Sequence, residues 1–226
     1  MKHVTKHLAV LGLLFASLLV FGCATLKGLK EAKEDWKNRN YASLATREVS
    51  CKASNKGCNQ LHLIKGDACF RLAKSGAEVA KHARCAAQHL QTGISQTEDW
   101  QVGDLNLNRA QTHENLLESL RLWRDTQRGA EAKKITTQLV ASAQAFLQIE
   151  PGHLGGIYFL NSGQYTLLRP ELLRQTKPSQ LCADLKRILQ SLSDSEPKSQ
   201  GTKYAPNYAQ LRSEVNLAKT TVTGCS

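Results

Sequence analysis

Residues 141–165 read ASAQAFLQIEPGHLGGIYFLNSGQY, and this stretch decides the fold that the sequence predicts. Its first part places alanine and larger apolar side chains, up to Ile149, at the spacing of one helical face. Pro151 and Gly152 follow, and a proline just past a helix end cannot continue the helix. A second apolar run, Ile157-Tyr158-Phe159-Leu160, begins after this break. The stretch therefore predicts two consecutive helices joined by a tight connection.

The composition of the whole chain agrees with a helical protein. The chain has 226 residues, of which 41% are hydrophobic and 22% charged, which excludes a disordered or collagen-like chain. Aromatic residues make up only 6%, which argues against a β-sandwich. Apolar residues at helical spacing predict helices over 26–36, 40–54, 61–72, 79–90, 115–127, 131–149 and 208–219. Polar residues and turn formers predict long loops over 93–108 and 193–207.

These helix pairs resemble tetratricopeptide repeats, in which one helix ends at a proline or a turn before the next begins. Residues 141–153 resemble the end of a repeat's second helix with its inter-repeat proline, and residues 157–160 resemble the first helix of the next repeat. The resemblance implies a tight turn at Gly163-Gln164-Tyr165. It also implies an all-α fold of stacked antiparallel helical hairpins, forming a right-handed solenoid over 40–192. A loop and a C-terminal helix then complete the chain over 193–226.

The N-terminal residues predict a targeting signal. Residues 8–21 hold no charge, and this run is shorter than the about 20 apolar residues of a membrane-spanning helix. It ends in Val20-Phe21-Gly22-Cys23, which resembles the lipobox of bacterial lipoproteins. That resemblance implies lipid attachment to Cys23 and, because Ala24 follows, sorting to the periplasmic face of the outer membrane. Residues 1–22 are then a signal peptide, and 23–39 hold the anchor and a first amphipathic helix. An ordinary secretory signal with a chance cysteine is the alternative.

Six cysteines remain after Cys23. An even number of cysteines in an exported protein predicts a disulfide framework. Four of them cluster within residues 51–85 and two lie near the C-terminus, so we expect pairing within each group. The second group then predicts a Cys182–Cys225 bridge. The pairing within the first group stays open, and its members are Cys51, Cys58, Cys69 and Cys85. Free buried thiols are the alternative.

One set of side chains suggests metal binding by a cysteine instead of a disulfide. His82, Cys85 and His89 follow i, i+3, i+7 spacing, so they share one face of the predicted helix. Histidine and cysteine are good zinc ligands. A fourth ligand is not evident, and the disulfide framework requires Cys85. We therefore predict neither a metal nor a cofactor, with this trio as the alternative.

The sequence holds none of four catalytic motifs: a nucleophile elbow, a zinc-protease His-Glu-x-x-His, a phosphate loop and a dinucleotide fingerprint. We therefore predict a protein that is not an enzyme. The formal charge of +11 falls to +9 once Lys2 and Lys6 leave with the signal peptide. Basic residues are scattered over every predicted helix without aromatic interleaving, so we predict no nucleic-acid partner.

These properties predict a lipid-anchored scaffold that binds another envelope or secreted protein, or a peptide, in a helical groove. The net positive charge favours an acidic partner. The first helices of tetratricopeptide-like pairs line such a groove, and the resemblance therefore nominates His62, Lys65, Arg121, Arg124 and Tyr158 as contact residues. Two alternatives stay open. One is an immunity or inhibitor lipoprotein that neutralises a secreted toxin, and the other is an accessory subunit of a solute-uptake or envelope-assembly system.

Overall fold

The computed structural model describes residues 25, 27–55, 57–96, 105 and 107–225. Regular secondary structure in these residues is helical, without a β-strand, which confirms the predicted all-α class. None of the helices in these ranges has the length and apolarity needed to cross a membrane. The helices are α1 (27–37), α2 (Tyr41–Thr46), α3 (Cys58–Lys74), α4 (Val79–Ser95), α5 (Arg109–Asp125), α6 (Gly129–Ile149), α7 (Leu154–Arg174), α8 (Pro178–Ser199) and α9 (Ala205–Thr221).

Backbone contacts divide the chain into two units. The first unit ends at Leu116 and the second begins at Leu117, so the boundary falls within α5. In the first unit α3 packs against α2 and α4. In the second unit α7 packs against α6, α8 and α9, and α8 packs against α9. Consecutive helices pair in both units, which confirms the predicted antiparallel helical hairpins.

The α6–α7 hairpin forms where the sequence predicts it. α6 ends at Ile149, and Pro151 lies in the four-residue turn that follows. At the start of α7, the backbone N–H of Gly156 donates a hydrogen bond to Nδ1 of His153 (3.3 Å). The fully buried ring of Phe146 lies 4.5 Å from the imidazole of His153, measured between ring centroids. The side chain that caps α7 therefore also packs on α6.

The tight turn predicted at Gly163-Gln164-Tyr165 is wrong, because α7 continues through these residues to Arg174. Gly163 is buried, and a Cβ atom there would lie 2.7 Å from Cγ2 of Val140 in α6. The glycine thus permits close packing of two helices instead of ending one of them. Tyr165 is buried as well, and its hydroxyl donates to the backbone oxygen of Glu214 (3.4 Å).

The loop predicted over 193–207 is also shorter than expected. α8 continues through Pro197 to Ser199, so only residues 200–204 connect it to α9. A proline inside a helix removes one backbone hydrogen bond, and here the helix ends two residues later. Tyr208 of α9 is fully buried, and its hydroxyl donates to the backbone oxygen of Leu154 (2.9 Å). This bond fixes α9 to the start of α7.

In the first unit, the helix predicted over 40–54 is too long, because α2 ends at Thr46. Cys51 lies in the connection that follows and forms a disulfide with Cys58, the first residue of α3. The Cα atoms of this pair are 5.8 Å apart. Seven helical steps would separate two Cα atoms by about 10 Å, which is too far for a disulfide. The bridge therefore requires a non-helical connection.

Helices α3 and α4 approach closely because small residues lie between them. Ala83, Ala86 and Ala87 are completely buried. A Cβ atom at Gly66 would lie 2.7 Å from Cγ of Leu90, so this position of α3 has no room for a side chain. α4 continues to Ser95, three residues into the loop predicted over 93–108, and most of the remaining loop lies outside the described residues.

The disulfide framework is confirmed. Cys69 pairs with Cys85 in the first unit, and Cys182 pairs with Cys225 in the second. Together with the Cys51–Cys58 bridge, every pair joins two members of the same predicted group. The structure thereby also settles the pairing that the sequence left open.

Candidate partner-binding site

Three of the five predicted contact residues lie together in the second unit, on α5 and α7. Burial raises the pKa of the Tyr158 phenol, and the positive charges of Arg121 and Arg124 oppose that rise. This electrostatic coupling places both guanidinium groups near the phenol. We call Arg121, Arg124 and Tyr158 the arginine patch.

Arg121 is held by acidic residues of its own helix. Its Nε and Nη2 atoms donate to the carboxylate of Glu118 at 2.7 and 2.8 Å, and Nη1 donates to Asp125 at 2.8 Å. The hydrogen bond with Glu118 is the main reason that the pKa of Arg121 rises above its ordinary value. Arg121 therefore orders two acidic side chains of its own helix, and its contact with a partner stays a prediction.

Arg124 lines a cleft of about 530 Å³ in the second unit. The cleft lies between the end of α5, the first turns of α6 and the last turns of α7. Basic side chains outnumber acidic ones in its lining, and apolar groups lie beside them. The charged members are Arg124, Asp125, Lys133, Glu171 and Arg174, and the apolar members include Ala132, Leu167 and Pro170. The cleft can thus present both a positive field and an apolar surface to a ligand.

The guanidinium of Arg124 lacks one acceptor. Its Nε and Nη2 atoms donate to Oδ1 of Asp125 at 2.9 and 2.6 Å. Its Nη1 atom is buried and has no hydrogen-bond partner among the residues that the structure describes. A buried N–H group without an acceptor costs free energy.

The other two predicted contact residues, His62 and Lys65, belong to the first unit. Nδ1 of His62 lies 2.8 Å from Nδ1 of His89, and the two rings are stacked. Nζ of Lys65 donates to the backbone oxygen of Arg47 (2.6 Å). Burial and the charge of Lys65 lower the pKa of His62, and the same causes lower the pKa of His89 to about 4. Both imidazoles are therefore neutral at pH 7.

The alternative metal trio does not form a site in the oxidised protein. The sulfur of Cys85 is bonded to Cys69, so it is not available as a ligand. Nε2 of His82 lies 3.7 Å from a carboxylate oxygen of Glu78, and His89 pairs with His62. The structure thus separates the three residues into different interactions.

Sequence reasoning missed two features of the first unit. One is the closeness of Cys51, Cys58 and His62, whose sulfur and nitrogen atoms all lie within 4.8 Å of one another. The four-residue step from Cys58 to His62 was the available signal, because it places both on one face of α3. The other is Asp67, an almost completely buried carboxylate that accepts from three side chains. Arg71 lies four residues after Asp67 on α3, so the sequence carried a signal for that donor, whereas nothing in the local sequence indicates Trp36 or Asn115.

Comparisons with known proteins give no relative: no protein-family model matches the chain, and neither does any curated protein or solved structure. The predicted lipidation site, Cys23, lies outside the described residues.

Proposed function

We propose that this protein is a non-enzymatic, lipid-anchored scaffold on the periplasmic face of the bacterial outer membrane. It binds an acidic segment of a partner protein in the cleft of the second unit. The observation that carries this proposal is the buried Nη1 atom of Arg124, which has no acceptor among the described residues although its side chain lines the cleft. A glutamate or aspartate of the partner supplies the acceptor.

The chemistry of the cleft supports an acidic, partly apolar ligand. Hydrogen bonds between guanidinium and carboxylate groups are shorter and stronger than neutral ones. Lys133 and Arg174 add positive charge to the lining, while Leu167 and Pro170 offer apolar surface to the rest of a peptide. Complementary charge also speeds the encounter of two proteins and selects against basic partners.

The helical architecture supports a scaffold rather than an enzyme. Paired antiparallel helices, like those of tetratricopeptide repeats, present side chains of successive helices along a shared surface. In this protein α5, α6 and α7 all contribute to the cleft. Tetratricopeptide geometry in the strict sense is part of the proposal.

The membrane anchor is supported by the sequence alone. The uncharged run over 8–21 and the Gly22-Cys23 pair have the order of a lipoprotein signal. An aminoterminal lipid with several acyl chains binds a membrane stably, whereas one chain is marginal. Replacing Cys23 with alanine should move the protein from the membrane fraction to the soluble fraction. Retention of that variant in membranes after a high-salt wash would disprove the anchor.

Partner binding is tested by crosslinking the full-length anchored protein in intact cells and identifying the captured protein by mass spectrometry. Arg124→Gln should reduce capture of a specific partner by about 10-fold or more, since a hydrogen bond between charged groups contributes about 1.5–3 kcal/mol. Arg187→Gln is the matched control, because Arg187 is exposed on α8 and does not line the cleft. The purified pair should also dissociate with added salt and with a glutamate-rich competitor peptide.

Two results would contradict this proposal. Capture that is unchanged in Arg124→Gln would remove the cleft as the site. Equal losses in Arg124→Gln and Arg187→Gln would indicate unspecific charge attraction. The identity of a specific partner then distinguishes a toxin-neutralising protein from an accessory subunit of an uptake or assembly system.

A further inference from the structure

Four side chains with metal-binding atoms meet at one end of the α3–α4 pair. The Cys51–Cys58 disulfide lies at the start of α3, and His62 follows one helical turn later. A ring nitrogen of His62 lies within 4.8 Å of both sulfur atoms. His89 of α4 pairs with His62, with 2.8 Å between their Nδ1 atoms.

We propose that Cys51, Cys58, His62 and His89 form a transition-metal site that becomes available when the Cys51–Cys58 disulfide is reduced. Two thiolates and two imidazoles are a donor set that zinc prefers in tetrahedral sites. Two nitrogens bound to one tetrahedral zinc at about 2.0–2.1 Å lie about 3.3 Å apart. The histidines therefore need to open by only about half an ångström from the observed 2.8 Å.

The charge of the donor set also suits a divalent ion. Two thiolates balance the charge of a divalent ion, so the occupied site carries no net charge beside Lys65.

The disulfide prevents metal binding until it is reduced, because a sulfur bonded to another sulfur is not a thiolate ligand. A dithiol reductant transfers two electrons and two protons to the disulfide, which yields two thiols and leaves the reductant as its own disulfide. Metal binding then releases the two thiol protons. The hydrogen bond between the imidazoles breaks, and the proton on its donor nitrogen moves to the other nitrogen of that ring.

The site also has a route for the ion. Cys58 is completely buried, but Cys51, His62 and His89 are each partly exposed. An ion can therefore reach three of the four ligands from solvent. The fourth, Cys58, is fixed by the first turn of α3.

The test uses cobalt(II) as the probe and the full chain in detergent. After treatment with a phosphine reductant, the protein should bind cobalt with thiolate-to-metal absorption in the near ultraviolet, and the oxidised protein should not. Removing even an outer partner of a metal ligand costs about 10–100-fold in affinity, so His62→Ala and His89→Ala should each cost at least that much. His82→Ala is the matched control and should leave the affinity unchanged.

A second variant avoids reducing the other bridges. Cys51→Ser frees the thiol of Cys58 while Cys69–Cys85 and Cys182–Cys225 stay oxidised, so this variant should bind cobalt without a reductant. Cys225→Ser, which frees Cys182, should not bind it. Absence of thiolate absorption in both the reduced protein and Cys51→Ser would overturn the proposal, as would equal binding by the oxidised wild type. Undiminished affinity in His89→Ala would overturn the four-ligand site.

Discussion

The interior around α3 and α4 differs in kind from the interior around α7. In the first unit a buried aspartate, Asp67, accepts from Trp36, Arg71 and Asn115 at 2.8, 2.6 and 3.1 Å, and two disulfides lie nearby in the chain. In the second unit α7 packs on three helices through apolar side chains, glycines and buried tyrosines. Among the described residues, every buried acidic or histidine side chain lies in the first unit.

The two units are therefore stabilised by different kinds of interaction. Apolar packing in the second unit is insensitive to pH, and one disulfide, Cys182–Cys225, is the redox-sensitive bond there. The surface cleft is shaped by the ends of helices. The first unit depends on charged hydrogen bonds, neutral histidines and sulfur–sulfur bonds, each of which responds to solution conditions. We therefore expect the two units to respond to different perturbations.

The largest effect is expected in the second unit. Phe146→Ala removes a completely buried ring that packs on His153, and such truncations cost about 3–5 kcal/mol of unfolding free energy. Denaturant unfolding measures this loss, and hydrogen exchange should locate it in α6 and α7. Leu173→Ala is the control on α7, because Leu173 is 90% exposed and its loss should change stability by less than about 0.5 kcal/mol. A Phe146→Ala protein as stable as the wild type would contradict the observed packing.

The disulfides should rank by the length of the loop that each one closes. Cys182 and Cys225 are 43 residues apart, whereas Cys51 and Cys58 are 7 apart. Loop-closure entropy then predicts that Cys182–Cys225 stabilises the folded protein by about 4 kcal/mol and Cys51–Cys58 by about 2 kcal/mol. Thermal unfolding of the two double alanine variants compares them directly. A larger loss from Cys51→Ala/Cys58→Ala would show that the short bridge stabilises the first unit by more than chain entropy.

The sequence predicted what local pattern determines. The end of α6 before Pro151 and the pairing of consecutive helices depend on residues close in the chain. Pairing of cysteines within two groups was predicted from their spacing and from the expected export of the protein. Gly163 was misread as a turn, because a glycine's role in close packing depends on its distant neighbour, Val140. Pro197 was misread as part of a loop, since a proline can occupy the last turns of a helix.

The candidate sites were harder to predict for the same reason. His62 and His89 are 27 residues apart, and Asp67 is 48 residues from its donor Asn115. Their meeting depends on how the helices align along each other, which periodicity within one helix does not specify. The acceptor missing at Arg124 likewise depends on the surroundings of a single nitrogen atom.

A smaller effect is expected from Asp67→Asn, which keeps the shape of the side chain but replaces an acceptor oxygen with a donor group. Hydrogen bonds to charged groups contribute about 1.5–3 kcal/mol, so we expect a loss of about 2 kcal/mol in unfolding free energy. Asp184→Asn is the control in the second unit, because its carboxylate makes only exposed contacts, with Arg187 and Gln180, and the change should cost less than about 1 kcal/mol. Equal losses at the two positions would contradict the contrast between the units.

A pH dependence that originates at His89 is also expected. Burial lowers the pKa of His89 from 6.5 to about 4 in the folded protein, and the charges of Lys65 and of His62 add to this effect. Between these two pH values the unfolded chain binds a proton at His89 and the folded chain does not. The contribution of neutral His89 to the free energy of unfolding is therefore fully present above pH 6.5 and is lost as the pH falls toward 4.

Urea unfolding at pH 7.5, 6 and 5 measures this slope, roughly within the window that the two pKa values define. His89→Gln should flatten the slope, because glutamine does not titrate. The remaining slope then comes from His62, whose pKa is lowered in the same direction, and from carboxylates elsewhere. Gln88→Ala, at the exposed neighbouring position on α4, should leave the slope of the wild type unchanged. An identical slope in His89→Gln and the wild type would show that His89 accepts its proton equally well in the folded and unfolded chains, which would contradict the neutral histidine pair.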